Sequence, residues 1–301
     1  MLRFRAPNPR KRWWYPPVGA FMDALEVVMR AVRIDFANVE VSRHPLFRTR
    51  PPGADPFVIA QISDLHLHAV GRREERALEA IESARPDLIV LTGDAIDDPR
   101  KVPVLERFLS LLEPLAPRKI AILGNWEHFA EIEAAHIERN MERHGVELLC
   151  NRTLVLDAHG SPLAVTGFDD LVAGHPDPDR ALSGLPERTP HLILAHCPAY
   201  RDVLVSHPAF AALDRSVPRV MLAGHTHGGQ IRFGRWTPVL PTGSEEYVDG
   251  WYRSPALDLY INRGLGMSLV PVRIGARPEV TLLDLGGSHQ ESGSVFSSSA
   301  S

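Results

Sequence analysis

Beyond residue 56 the chain alternates between short apolar runs and longer mixed segments. The runs Phe57–Ile62, Leu88–Leu91, Ile120–Leu123, Leu163–Thr166, Leu192–Ala195 and Val220–Ala223 are of β type. Helical patterns fill several of the gaps, at Arg72–Ala84, Val102–Leu112, Ala130–Arg143 and Ala199–Ser206. Three later segments, Tyr247–Tyr252, Leu257–Ile261 and Glu279–Leu285, read as strands with no helices between them. The pattern predicts an α/β core over residues 57–285 that continues into a β-rich second half, with a second antiparallel sheet.

The flanks have other patterns. Arg10, Lys11 and Arg12 precede Trp13, Trp14 and Tyr15, and Val18 to Phe36 reads as a helix. Asp23, Glu26, Arg30 and Arg33 recur at spacings of three and four, opposite a broad face of Phe21, Met22, Leu25, Val28, Met29, Val32 and Phe36. Such a basic, aromatic and amphipathic segment either lies in a membrane interface or packs on the main domain or another subunit. No signal-peptide cleavage site comes after it. Ser42–Pro56 reads as a linker completing an N-terminal segment of residues 1–56, and Gly286–Ser301 as a disordered tail.

Composition narrows the chemistry. The 301 residues carry a net charge of −4, so no global basic field recruits nucleic acid. No run of 18 apolar residues is present to span a bilayer. Two cysteines, Cys150 and Cys197, are too few for a disulfide framework or a thiolate zinc cluster, and a reducing, cytoplasmic setting fits best. Fourteen histidines direct any metal chemistry to imidazole and carboxylate ligands.

The strongest signal lies just past the strand ends. Ile62 leads into Ser63-Asp64-Leu65-His66, and Leu91 into Thr92-Gly93-Asp94 with Asp97 three residues on. Leu123 leads into Gly124-Asn125-Trp126-Glu127-His128, Ala195 into His196, and Ala223 into Gly224-His225-Thr226-His227. Asp64 to Asp94 is 30 residues, Asp94 to Asn125 is 31 and His196 to His225 is 29, each the length of one strand–helix–strand unit. Each donor group therefore returns to one edge of a sheet, outside the carboxyl ends of its strands. A lone Asp-x-His usually caps a turn; five donor groups in phase at strand ends point to a metal site.

Asp64-x-His66, Gly93-Asp94-x-x-Asp97, Gly124-Asn125-x-Glu127, His196 and Gly224-His225-x-His227 resemble the five-motif signature of the calcineurin-like metallophosphoesterases, over about residues 57 to 285. Asn262-Arg263-Gly264-Leu265-Gly266, Pro271-Val272-Arg273 and Arg277-Pro278-Glu279 further resemble the closing segment of one bacterial branch, many of whose members are membrane-anchored or exported. The resemblance implies a four-layer α/β/β/α sandwich of two mixed sheets and two divalent ions. Asp64, His66, Asp94 and His227 would hold one ion, and Asp94, Asn125, His196 and His225 the other, with Asp94 bridging. Mixed nitrogen and oxygen ligation suits manganese, iron, zinc or cobalt better than magnesium. Asp94, Asn125 and His196 would be central to catalysis, with a metal-bridging hydroxide attacking phosphorus.

One departure stands out. The third motif of the superfamily commonly places a His at the position of Trp126, where it assists the leaving group. Trp126 has no titrating group, so His68, His128 or another residue supplies the proton, or the leaving group needs none. A phosphate leaving group is a weak base and needs less acid help, which favours a pyrophosphate or activated diester over an alkyl monoester. The UDP-diacylglucosamine pyrophosphatases of lipid A synthesis belong to this superfamily, and some also lack that His. A lipid-linked substrate such as UDP-2,3-diacylglucosamine would give residues 10–36 a membrane surface to meet, with the protein peripheral on the inner face. The competing readings are a phosphomonoesterase and a non-catalytic metal- or phosphate-binding scaffold.

Among remaining residues, Asp97 reads as a cap for the next helix or turn or as a third carboxylate at the site, Asp169-Asp170 as a turn or a loop over the cleft, and Cys197 as a small buried hydrophobe. Arg263 reads as a salt-bridge residue or a phosphate contact. Glu127 and His128 are candidates for supporting the site.

Overall fold

The computed structural model describes residues 2–4, 38–48, 56–234 and 236–285. The expected helix at Val18–Phe36, its basic-aromatic leader and the tail from Gly286 lie outside the described residues. In chain order the elements are β1 (Leu2–Phe4), β2 (Glu40–Pro45), β3 (Phe57–Ile62), α1 (Arg72–Ala84), β4 (Leu88–Thr92), α2 (Val102–Leu112), β5 (Arg118–Ile122), α3 (Asn125–Phe129), α4 (Ala134–Arg143), β6 (Val146–Leu148), β7 (Arg152–Ala158) and β8 (Ser161–Gly167). They continue with α5 (Pro178–Leu182), β9 (His191–Leu194), α6 (Tyr200–Ser206), α7 (Pro208–Ala211), β10 (Arg219–Ala223), β11 (Val239–Pro241), β12 (Gly250–Tyr252), β13 (Asp258–Ile261) and β14 (Glu279–Leu285).

Twelve of these strands form two six-stranded sheets, ordered β2-β14-β3-β4-β5-β6 and β12-β13-β10-β9-β8-β7. Both sheets are mixed: β3, β4, β5 and β6 run parallel while β14 is antiparallel to β3, and β8, β9, β10 and β13 run parallel while β7 and β12 are antiparallel at the edges.

The period-two alternation of strand side chains explains the layering. Ile59, Leu88, Val90, Ile120 and Ile122 of the first sheet pack on Val165, Leu192, Leu194, Val220 and Leu222 of the second. Their sequence neighbours point outward. Ala60, Ile62, Ile89, Leu91 and Ala121 meet Ala77 and Ile81 of α1, Leu105 and Phe108 of α2, and Ile137 and Met141 of α4. Ile193, Met221 and Ala223 meet Leu182, Tyr200, Leu204 and Phe210 of α5–α7. The central strands are thus buried on both faces, which is why they read as continuous apolar runs. The four-layer α/β/β/α sandwich is as expected.

Two expectations change. The later strands do not form a second antiparallel sheet. β14 enters the first sheet between β2 and β3, and β13 lies parallel to β10. Local sequence marks a strand but not its partner, which burial on both faces selects. The linker reading of Ser42–Pro56 also meets a strand, because Glu40–Pro45 pairs in parallel with Glu279–Asp284, and Leu46 and Phe47 are buried beyond it. Glu279 strengthens this edge, accepting from Ser42 Oγ at 2.5 Å and Tyr260 Oη at 2.7 Å.

One titratable residue buried in the second sheet should report on acid stability. His191 shares a 2.6 Å hydrogen bond with Thr166 Oγ1. Burial, aided by the charge of Arg219, pushes its pKa down to about 3. The unfolded chain takes up this proton below about pH 6.5 and the folded chain does not until near pH 3, so stability falls as pH drops through that window. Going from pH 7.5 to 4.5 should cost about 2–3 kcal/mol at this residue. Urea melts of His191→Gln should show that much less acid sensitivity; an unchanged pH profile would refute the assignment.

Candidate functional site

The loops that leave the C-terminal ends of β3, β4, β5, β9 and β10 meet at one edge of the sandwich. Backbone bonds knit them beyond the strands: Asp64 N donates to Gly93 O, His66 N to Asp94 O, and Gly224 N to His196 O, all at 3.0–3.1 Å. The segment after β13 joins them, with Gly266 N donating to Asp64 O at 2.6 Å. Asp64, His66, Asp94, His225 and His227 all have left-handed backbone, with φ of 49°, 40°, 55°, 71° and 54°. Non-glycine residues rarely adopt this conformation, and its clustering here marks a strained, functional edge. Glycine beside these residues serves close approach: a Cβ at Gly124 would collide with Asp94, and one at Gly224 with Ser63 and Asp64.

All seven expected donors are buried, and six converge as two groups, Asp64–His66–His227 and Asp94–His196–His225. In the first, His66 Nε2 and His227 Nε2 are 3.2 Å apart, and His227 Nε2 is 3.3 Å from Asp64 Oδ1. In the second, His196 Nε2 lies 3.1 Å from Asp94 Oδ2 and 3.2 Å from His225 Nδ1. Asp94 Oδ2 is also 3.7 Å from His66 Nε2, so one carboxylate oxygen faces both groups. Ring nitrogens this close need either a shared proton or a cation between them.

The outer hydrogen bonds set the tautomers that metal binding needs. His196 Nδ1 donates to Thr92 O at 2.7 Å and His225 Nε2 to Thr242 O at 2.8 Å, leaving His196 Nε2 and His225 Nδ1 as the atoms that face inward. Trp126 N–H holds Asp94 Oδ1 at 2.8 Å and leaves Oδ2 for the cluster. His225 N–H contacts both Asp64 oxygens at 3.0 Å. Asn125 Oδ1 is buried and finds no hydrogen-bond partner among the described residues. An amide oxygen orphaned beside two carboxylate–imidazole groups is what a divalent cation would satisfy, so the donor set fits a pair of metal ions.

Electrostatics agree. Burial pushes the Asp94 pKa up, but His196 and His66 overcome this and hold it at about 2. Burial opposes protonation of His66 and His196; Asp97 with Asp94 raises the first pKa nonetheless, and Asp94 foremost, with Asp64 and Asp170, raises the second. His225 and His227 are lowered, first by burial and then by the charges of His196 and His66. Each group therefore attracts one positive centre.

Supporting residues sort themselves by contact. Glu127 is buried and accepts from Gly124 N at 2.8 Å, Asp94 N at 3.1 Å, Ala95 N at 2.5 Å and Ile96 N at 3.2 Å. Asp98, and not Asp97, caps the next turn, accepting from Arg100 N; Asp97 Oδ2 lies 3.8 Å from both His66 Nδ1 and His68 Nε2. His128 Nε2 is 2.8 Å from Asp169 Oδ1, a bond that raises the imidazole pKa against burial. Asp169 and Asp170 bind the backbone of residues 170–175, a loop whose Val172 lines the cleft. Cys197 Sγ donates to Asp170 Oδ2 at 3.0 Å, and burial pushes its pKa well up, which makes an inert thiol. Arg263 makes the salt bridge that was one of its two expected roles, held by Glu279 and Glu40, each at 3.1 Å.

Sequence reading missed Arg273 as a site residue. Its buried guanidinium donates to Gly266 O at 2.8 Å and His227 O at 3.2 Å, and Nη2 approaches His227 Nδ1 at 3.2 Å. It also missed the wall of the cleft. A cavity of about 490 Å³ has Asp94, Asn125, His225 and His227 on its floor and Ile231, Pro238, Val239, Leu269 and Val270 among its walls. Trp126 also lines it, edge-on to His66 with ring centroids 6.0 Å apart. No local pattern marks those wall residues, which come from two segments about thirty residues apart.

A two-sheet sandwich with paired carboxylate–imidazole groups at its strand ends defines a metal-dependent phosphoesterase. The calcineurin-like phosphoesterase family model matches residues 57–229, and the chain belongs to that family. It is 34% identical over 255 residues to the uncharacterized metallophosphoesterase YkuE of Bacillus subtilis (strain 168), covering 82% of this chain and 85% of that protein. It is 32% identical over 253 residues to phosphodiesterase YaeI of Escherichia coli (strain K12), covering 82% of this chain and 88% of that one. A solved dimetal phosphatase from Danio rerio aligns with a TM-score of 0.41 at 12% identity, over 70% of this chain and 88% of that one.

Replacing Glu127 by Ala should strand four N–H groups that its carboxylate now receives. Stability should fall by about 3 kcal/mol or more, and manganese titrated calorimetrically should bind at least about tenfold more weakly. Parent-like metal affinity would show that Glu127 does not organise the loops.

Proposed function

We propose that this phosphoesterase cleaves a phosphodiester or pyrophosphate bond in a lipid-linked substrate such as UDP-2,3-diacylglucosamine. One observation carries the reading: a single cavity joins a floor of anionic and imidazole donors to an apolar wall built by Ile231, Val239, Leu269 and Val270. A phosphoryl group suits the floor and acyl chains suit the wall.

Asp64, His66, Asp94 and His227 would hold one divalent ion, and Asp94, Asn125, His196 and His225 the other; manganese, iron, zinc and cobalt all suit the donors. Two bound ions supply an activated water and clamp the oxygens of an in-line displacement. The chain's own residues provide the geometry. Thr92 O and Thr242 O orient the rings of His196 and His225, and the Trp126 N–H fixes the Asp94 carboxylate. The Trp126 side chain brings no acidic proton to the cavity it lines. That favours a phosphate leaving group, which departs without one. A lipid-linked substrate also implies a place on the inner face of a membrane; no described helix is long and apolar enough to cross one.

Purified protein supplied with manganese should hydrolyse bis-p-nitrophenyl phosphate and split UDP-2,3-diacylglucosamine into UMP and a lipid phosphate. Turnover of the simple diester without the lipid pyrophosphate would sink the substrate assignment, and no turnover of either by metal-loaded protein would sink the whole reading. Asp94→Ala should lower the rate at least about a thousandfold while leaving the far-ultraviolet circular dichroism unchanged, because its carboxylate faces both donor groups. Trp126→His should accelerate esters with alkoxide leaving groups by about tenfold or more and leave nitrophenyl esters unaffected. Equal gains on both would show that residue 126 has no bearing on the leaving group.

A further inference from the structure

The cavity opens through a rim with an unusual surface. Among the described residues, ten large apolar side chains are exposed, and six of them, Phe233, Trp236, Val239, Leu269, Val270 and Ile274, come from residues 233–239 and 269–274. Backbone bonds hold these two segments together: Arg232 N donates to Ile274 O and Ile274 N to Gln230 O, both at 2.8 Å, and Gln230 Nε2 reaches Ser268 O and Val270 O at 3.0 and 2.9 Å. Phe233 and Trp236 face each other across a tight hairpin, with reciprocal backbone bonds of 3.0 and 3.1 Å and left-handed Gly234 in the turn. Their rings stack at 6.0 Å, and they are 57% and 63% exposed. A hairpin that fixes two aromatic rings in water forfeits their burial on folding, and contiguous apolar surface of this kind marks a docking site.

We propose that this rim is a bilayer-docking face that opens the cavity onto an anionic lipid surface. Three observations select a membrane over a protein partner or a second copy. The first is continuity: Val239, Leu269 and Val270 belong both to the exposed rim and to the cavity wall, so an acyl chain can pass from bilayer to floor without crossing water. The second is charge. Residues 228–243 and 263–278 contain no Asp or Glu, and exposed Arg277 lies in the second of them. The third is the chain's own N-terminus. β1 pairs in parallel with β11, which sets Leu2 beside the rim residue Val239, and the sequence after β1 carries Arg5, Arg10, Lys11, Arg12, Trp13 and Trp14. Aromatic side chains beside a basic cluster suit the headgroup region of an anionic leaflet. This face draws its purpose from the lipid-linked reading and its existence from the surface alone.

Vesicles distinguish the two. The full chain should sediment with phosphatidylglycerol–phosphatidylcholine vesicles, more weakly with phosphatidylcholine alone, and more weakly again in high salt. The double variant Phe233→Ser, Trp236→Ser should bind the anionic vesicles at least about tenfold more weakly. Both side chains lie outside the cavity lining, so the variant should keep its thermal midpoint and its rate on soluble bis-p-nitrophenyl phosphate. Equal vesicle binding by parent and variant would mean that residues 5–37 or another face make the contact, and it would overturn the proposal, as would a parent that does not bind. Failure of the parent to hydrolyse the soluble diester would instead count against the phosphoesterase reading and leave the docking result standing.

Discussion

The site depends on one buried carboxylate. Glu127 receives four backbone N–H groups from the loops beyond β4 and β5, and those loops carry Asp94 and Asn125. A glutamine at this position would present one acceptor oxygen and aim its amide protons at the other N–H groups. Burial and the nearby Asp94 raise the Glu127 pKa, while the N–H donors from Gly124 and Ile96 lower it. The same residue therefore ties together the two loops that carry Asp94 and Asn125.

Strain is the cost of that arrangement. Five of the donor residues occupy left-handed backbone, at about 1–2 kcal/mol each. What holds them there is the layer of Ile, Leu and Val side chains between the two sheets, together with backbone bonds that extend pairing past the strand ends into Asp64, His66 and Gly224. Cross-sheet contacts do the rest. Gln61 Nε2 donates to Ala223 O at 3.0 Å, and the His225 N–H meets the Asp64 carboxylate. Both sheets supply donors, so the spacing between the groups is set by sheet packing and not by either set of loops alone.

Sheet packing also decides how much of the fold and site could be read in advance. β3, α1, α2 and β14 have the bounds their periodicity predicts, because both faces of the strands and one face of each helix are buried in continuous core. The donor motifs were legible because a strand–helix–strand unit has a nearly fixed length, which brings Asp64, Asp94 and Asn125 to the same edge. β2 was not, since its pattern alternates half-buried with exposed residues and ends in proline, as an edge strand can but a core strand cannot. β6, with three residues, is too short to carry a period. The role of Arg273 and the partners of Arg263 were illegible for another reason. Arg263 is drawn to Glu279 and Glu40, and such neighbours are distant in sequence.

The same logic joins the cavity to residue 126. A hydrolase that must protonate its leaving group needs a titrating side chain over its metals, and such a group requires water or a charged partner to stay poised. Trp126 requires neither. Placed edge-on to His66 and beside the Asp94 loop, it lets the apolar wall approach the donor groups without leaving a buried ionisable side chain unpaired. An indole here and aliphatic walls above it are therefore compatible in a way that an imidazole would not be. His128, the other imidazole of that loop, is bound to Asp169 at 2.8 Å, and so holds the 170–175 loop beside the cleft. The surface is partitioned accordingly: charge is gathered at the strand ends and paired, while the cleft wall and its rim are left apolar. That partition is the feature on which the proposed lipid-linked substrate rests.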